Sequence, residues 1–258
     1  MKNELTTTGT QKTVAVADLL EKAVEKFLAT LDTKHITKDT YRRALRVFEI
    51  WINDKGYTRP SREHILEYKD YLKDKTIVGN DGDVKTLSPL TVTAYLTAVR
   101  RFFAFLEAEK LYPNIARDIK GMKRPKGFLK DNLTKDEAIR LLEGIKQDGI
   151  NALRDYAIIN LMLHTGLRTI EVTRILIGDI GRETGETVLR VWGKGRDSKD
   201  DFVILTEQAY KPMLDYLQAR GQTRLSEPYF ISHSNRNKAE ALTTRSIRRI
   251  IEDRLTAV

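Results

Sequence analysis

The chain contains no cysteine, which excludes disulfides and thiolate metal sites and is compatible with a reducing compartment. Histidine is nearly as scarce. His35, His64, His164 and His233 are scattered, with no metal-ligand spacing among them, so neither a metal nor another cofactor is expected. No apolar run is long enough to span a membrane. The opening "MKNELTTTGTQKTV" has no apolar stretch of the kind a secretory signal needs. The expectation is a cytoplasmic protein without a membrane partner. Carboxylates are spread over helix surfaces, with no cluster of the kind a metal-dependent nuclease or transposase uses. They are also outnumbered: 36 Asp and Glu against 45 Lys and Arg leave a net +9 over 258 residues. That balance favours an anionic partner, most often nucleic acid, while a solvated basic surface is the plain alternative.

What is present is a core-forming chain, 41% hydrophobic, and its patterning is mainly helical. Residues 1–15 are polar and Thr-rich and read as a flexible tail. Four helical segments follow in a unit expected over residues 16–115. "ADLLEKAVEKFLATL" carries Leu20, Val24, Phe27, Leu28 and Leu31 on one face. "TKDTYRRALRVFEIWINDKG" has a Tyr41, Leu45, Phe48 and Ile52 stripe and stops at Gly56. "SREHILEYKDYLKDK" starts at a Ser61 cap. "SPLTVTAYLTAVRRFFAFLEAEK" has Ser88 as its cap and Pro89 at the first helical position. The "VGNDGDVKT" before that helix reads as a loop. Residues 116–130, with two glycines, Pro125 and a run of lysines and Arg124, read as a basic linker.

Residues 131–258 read as a second unit. Thr134 and Glu137 stand at capping-box spacing before its first helix. "NALRDYAIINLMLHTG" is a more buried helix, and "TIEVTRIL" a third. The period then alternates: "ETVLRVWG" and "DDFVILT" are expected as paired strands around the turn "GKGRDSK". "TEQAYKPMLDYLQARG" returns to helix, with Pro212 expected in its first turns. "PYFISHSN" is a candidate short strand, and "TTRSIRRIIEDRL" a final basic helix. The fold class is therefore mainly α with a small antiparallel β hairpin or sheet.

Two features carry chemistry. In "HTGLRTIEV", Gly166 can close a helix with positive φ and set Arg168 at the start of the next one. A guanidinium beside a helix N-terminus joins two positive features, which suits a shared anion. Glu171, three residues on, is placed to orient it. The plain reading is a surface ion pair worth roughly 0–1 kcal/mol. In "VWGKGRDSKDDFVIL", Lys194 lies between two glycines, where an ammonium can approach another molecule closely. The plain reading there is ordinary turn chemistry.

Taken together, "HTGLRTIEV", Asp179 in "IGDI", the strand ending "RVWGKG" and the apolar strand after it resemble the catalytic domain of the tyrosine recombinases, the phage integrase family. Arg168 and Lys194 are 194 − 168 = 26 residues apart, about that family's spacing. The fourth helix and the basic segment after it look like the end of the family's core-binding domain and its linker. The resemblance implies a SAM-like helical core-binding domain plus a partial α+β catalytic domain. It implies metal-free phosphoryl transfer on double-stranded DNA through a 3′-phosphotyrosyl intermediate. Arg168 would hold the non-bridging oxygens, Lys194 would protonate the departing 5′-oxygen, and Glu171 would support Arg168. Candidate DNA contacts are Thr91, Thr93, Arg100, Arg101, Lys123, Arg124, Lys126, Arg245, Arg248 and Arg249. Tyr95, Phe102, Phe103 and the Trp51 region are read as core, with Tyr95 also within reach of DNA.

The family continues with a His/Lys-x-x-Arg motif and a tyrosine nucleophile, and neither follows "TTRSIRRIIEDRL" in this sequence. Tyr210, Tyr216 and Tyr229 are read as packing residues. The expectation is a fragment that binds DNA without cleaving it. The tetramer formed on DNA is implied for a whole recombinase rather than for this chain. A non-catalytic regulatory DNA-binding protein on the same scaffold is the alternative.

Overall fold

The computed structural model describes residues 16–79, 82–123, 132–192 and 198–256. The expected tail therefore lies outside the described residues. The chain divides into two compact units, Met1–Leu129 and Lys130–Val258.

Among its described residues the first unit holds four helices: α1 Val16–Thr30, α2 His35–Asp54, α3 Arg62–Asp74 and α4 Pro89–Ala108. Each starts or stops where local chemistry allows it. Ser61 opens α3 and donates its N–H to His64 Nδ1 at 2.9 Å. Ser88 Oγ accepts from Thr91 N–H, with Pro89 in the first turn of α4. Gly56, at φ 68°, turns the chain away after α2. The expected stripes fill the core: Phe27, Leu28, Leu45, Phe48, Trp51, Ile52, Phe102 and Phe103 are buried, and Tyr41 and Tyr95 pack partly against them. Burial of each large apolar side chain contributes about 1.5–3 kcal/mol.

Two differences mark this unit. The expected loop before α4 contains strand β2, Val84–Thr86, paired antiparallel with β1, Thr76–Val78. Every residue of both strands is exposed, so no buried face left an alternating pattern to read. The segment from residue 116, expected as the start of the linker, is part of the unit's core. Ala116 and Ile119 are buried. Lys69 Nζ donates to Lys120 O at 2.8 Å, and Arg62 reaches Arg117 O. Gly121 passes so close to α4 that a Cβ there would meet Thr93 Cγ2 at 2.6 Å.

The second unit holds α5 (Lys135–Gly144), α6 (Gly149–Thr165), α8 (Glu207–Arg220) and α9 (Thr244–Leu255) together with a three-stranded sheet. The sheet is antiparallel with order β3–β4–β5: Ile180–Glu183, Glu186–Val191 and Asp201–Ile204. Strand β3, not expected, is joined to β4 by Thr184 and Gly185, both at positive φ, a tight hairpin turn. The Thr134–Glu137 capping box forms as expected. The helix expected over "TIEVTRIL" is one turn only, α7, Thr169–Val172. Tertiary pairing ends it: Ile177 N–H bonds Glu227 O and Tyr229 N–H bonds Ile175 O, bridging Leu176 to Pro228. That bridge and a second, Ile231 to Ala241, are all the strand character that "PYFISHSN" has.

Pro212 lies inside α8, past its first turn. A proline there removes the N–H that would bond the Gln208 carbonyl. Asn160, buried on α6, supplies the missing donor: its Nδ2 reaches Gln208 O at 2.8 Å.

Candidate functional site

Arg168 is presented by a local sequence of constraints. Thr165 Oγ1 bonds Leu161 O at 2.6 Å in the last turn of α6. Gly166 then takes φ 67°, with its N–H on Met162 O at 2.9 Å. Leu167 returns to the core, and Arg168 follows with extended backbone.

Glu171 fixes Arg168 from below. Its side chain is only 10% exposed, and its two oxygens divide the work. Oε2 accepts the Arg168 backbone N–H at 2.7 Å, and Oε1 accepts Nη1 at 2.9 Å. The Arg168 side chain is 66% exposed, and among the described residues no other group bonds its guanidinium. One edge is anchored and the rest faces outward, which is the posture for two-pronged contact with an anion. The helix dipole adds little here, because α7 is a single turn.

Lys194, between β4 and β5 in the chain, lies outside the described residues. The base of the hairpin is anchored by a pair that the sequence reading missed. Lys199 Nζ bonds Asp179 Oδ2, and both side chains are largely buried. The same oxygen accepts Leu176 N–H at 2.6 Å, closing the 3₁₀ turn Ile177–Asp179. The only sequence signal was an acid in "IGDI" and a lysine closing the turn "GKGRDSK" before the return strand.

The last helix is amphipathic. Ile247 is buried and Ile250 and Ile251 pack partly, while Arg245, Arg248 and Arg249 are all exposed. Arg254 turns inward and donates to Asp155 Oδ2 at 3.0 Å.

In the first unit the candidates divide into two groups. Arg101 and Lys123 are exposed, and Arg101 Nη1 rests on Tyr41 OH at 3.2 Å. Thr91 pairs with Ser88 Oγ at 2.8 Å. Thr93 Oγ1 donates to Pro89 O and accepts Met122 N–H at 3.0 Å. Arg100 donates to Ile119 O at 3.2 Å and to Thr97 Oγ1 at 2.9 Å. Thr93 and Arg100 thus hold the segment 119–122 against α4. Arg124 and Lys126 lie outside the described residues.

The tyrosines are placed as packing. Tyr216 and Tyr229 are fully buried and Tyr210 partly so. Burial pushes the phenols of Tyr216 and Tyr229 up, which disfavours the phenolate. His164 is exposed, with Nδ1 2.9 Å from Asn160 O. Among the described residues no group of three or more metal-binding side chains occurs, and no helix is long and apolar enough to cross a membrane.

Comparison with known proteins fits this geometry. Residues 131–257 match the phage integrase family, and residues 24–110 match the N-terminal SAM-like domain of phage integrases. The TnP I resolvase of Bacillus thuringiensis is 25% identical over 84% of this chain and 75% of its own length. The tyrosine recombinase XerC of Thermodesulfovibrio yellowstonii is 29% identical over 66% of this chain. The match spans just over half, 56%, of that protein. A lambda integrase dimer bound to a COC′ core site shares the fold, with TM-score 0.66 and 15% identity over 95% of this chain and 63% of that one. With both of its units matched by domains of one family, the chain belongs to the phage integrase family of tyrosine recombinases.

Proposed function

We propose that this chain grips double-stranded DNA as part of a site-specific recombinase, with Arg168 on the backbone phosphate that is broken and rejoined. The observation that carries this is the Arg168 guanidinium, held along one edge by a buried Glu171 and otherwise directed outward. In the reaction a tyrosine oxygen bonds to phosphorus, the bond to the 5′-oxygen breaks, and that oxygen takes a proton. Arg168 stabilises the extra charge on the non-bridging oxygens, and Lys194 supplies the proton. Neither role needs a cofactor. Arg101, Lys123, Arg245, Arg248 and Arg249 neutralise neighbouring phosphates from exposed positions. Thr91 adds a hydroxyl, while Thr93 and Arg100 act indirectly, by shaping the segment 119–122. Arg124 and Lys126 extend the same basic track. Lambda integrase has been solved on DNA both as a dimer and as a tetramer at a Holliday junction. A tetramer on DNA is accordingly the assembly proposed for the whole recombinase, working in the cytoplasm.

For this chain alone the reading is binding without cleavage. The burial and raised phenols of Tyr216 and Tyr229 support it. The experiment is duplex binding as a function of salt, with a nicked duplex to trap covalent product. With about six phosphate contacts, affinity falls roughly a thousandfold between 50 and 200 mM salt. Arg168→Lys weakens binding, because an ammonium cannot make the two-pronged contact. No covalent product forms. Binding that ignores salt overturns the reading of DNA as partner, and a metal-free covalent product overturns the reading of the tyrosines.

A further inference from the structure

Gly121 stands near the end of the first unit's packed segment, and no backbone angle asks for a glycine there: its φ lies outside the left-handed region. The requirement is the approach to α4. A Cβ on residue 121 would lie 2.6 Å from Thr93 Cγ2 and 2.9 Å from Thr93 Oγ1, closer than van der Waals contact allows. Thr93 Oγ1 spends its proton on Pro89 O at 2.8 Å and so presents a lone pair to Met122 N–H at 3.0 Å. The glycine lets the segment close onto α4, and the hydrogen bond beside it holds it there. The two residues form a latch.

The latch is the last of four anchors on one short segment. Arg62 on α3 reaches Arg117 O, Arg100 on α4 donates to Ile119 O at 3.2 Å, and Lys69 on α3 donates to Lys120 O at 2.8 Å. Ala116 and Ile119 are buried along the same stretch. Three cations of a basic protein thus bond backbone carbonyls of a single segment. Ordering a segment costs conformational entropy, and here it is already ordered in the protein without a partner. What the segment carries outward is charge: Lys120 and Lys123, on either side of Gly121 and Met122, are both exposed.

We infer that Gly121 and Thr93 are positioning residues for DNA binding. They hold Lys120 and Lys123 in place before the duplex arrives, so that the two ammoniums meet phosphates without a further ordering penalty. Neither Gly121 nor Thr93 touches DNA itself. The inference rests on the proposed DNA partner, and its geometry lies within the first unit.

The test compares duplex affinity with its salt dependence in the full chain, at a temperature where circular dichroism shows every variant folded. Gly121→Ala forces the segment away from Thr93. Thr93→Val keeps the methyl group and removes the oxygen that holds Met122. Each lowers affinity about fivefold, the equivalent of one hydrogen bond of about 1 kcal/mol. The log–log salt slope stays unchanged, because the same phosphates are neutralised in the complex. Lys123→Gln removes a contact itself and lowers the slope by about 0.9. Thr93→Ser takes away the Cγ2 that the new Cβ of Gly121→Ala meets first, so adding it recovers part of the affinity lost to Gly121→Ala. Wild-type affinity in either Gly121→Ala or Thr93→Val, even with a lowered Tm, makes the latch structural only and overturns the inference. A slope lowered as in Lys123→Gln overturns it as well. Hydrogen exchange at the Met122 amide, slow in the wild type and fast in both variants, reads the latch without DNA. If the wild-type chain binds no duplex, the proposed function fails, and the exchange still decides whether the latch forms.

Discussion

Replacing Glu171 by Gln separates the two jobs of one buried carboxylate. The amide keeps the shape, and its oxygen still accepts the Arg168 backbone N–H now bonded at 2.7 Å. That bond changes from charge-assisted to neutral, which costs about 1 kcal/mol. The other oxygen becomes an NH₂ group facing Nη1, so the 2.9 Å contact with the guanidinium is lost. Arg168 is 66% exposed, so solvent screens that pair and its loss costs about 0.5 kcal/mol. The sum, about 1.5 kcal/mol, is an upper figure, because Gln no longer carries a buried charge. For a unit of this size the expected fall in Tm is roughly 6 °C. Arg168→Ala removes only the screened pair and costs less than about 1 kcal/mol. Thermal unfolding of both variants, followed by circular dichroism, gives the order. Duplex binding of Glu171→Gln weakens as well, because the guanidinium loses its anchored edge. If Arg168→Ala destabilises as much as Glu171→Gln, the carboxylate serves the ion pair rather than the backbone, and the reasoning fails.

Asn160→Leu orphans the Gln208 carbonyl inside α8 and should cost about 1–3 kcal/mol. Pro212→Ala restores the helix N–H, so the double variant should recover most of that loss in a denaturant titration. Strict additivity of the two would show that Asn160 does not compensate for the proline. A third prediction concerns pH. The His233 pKa is lowered in the folded protein, so the unfolded chain takes up that proton first. Stability should hold above the ordinary histidine value near 6.5 and decline as pH falls below it. His233→Gln should remove that part of the decline, and an unaltered pH profile would refute the assignment.

Much of the fold was legible because it is locally encoded. The caps at Ser88 and Thr134 bond as expected, Ser61 starts α3 but bonds His64 through its backbone N–H rather than capping with its hydroxyl, and the apolar stripes of α1, α2 and α4 form one core. Gly166 and Arg168 were readable for the same reason: a left-handed residue and a following arginine are properties of a few adjacent positions. The hairpin β1–β2 was hidden because nothing in it is buried. How α8 tolerates Pro212 was hidden because the compensating donor sits 52 residues earlier, at Asn160.

The sequence by itself determined the two-unit order, the helical periods, the break at Gly166 and the presence of Arg168 and Glu171 within reach of each other. Only the tertiary structure decided how long α7 runs, since pairing of residues 175–177 with 227–229 competes with helix propensity and wins. Only it decided that Thr93 and Arg100 serve the segment 119–122, which is packing rather than linker. Periodicity and capping act within a few residues, whereas buried charge balance is set by whichever distant side chains the fold brings together.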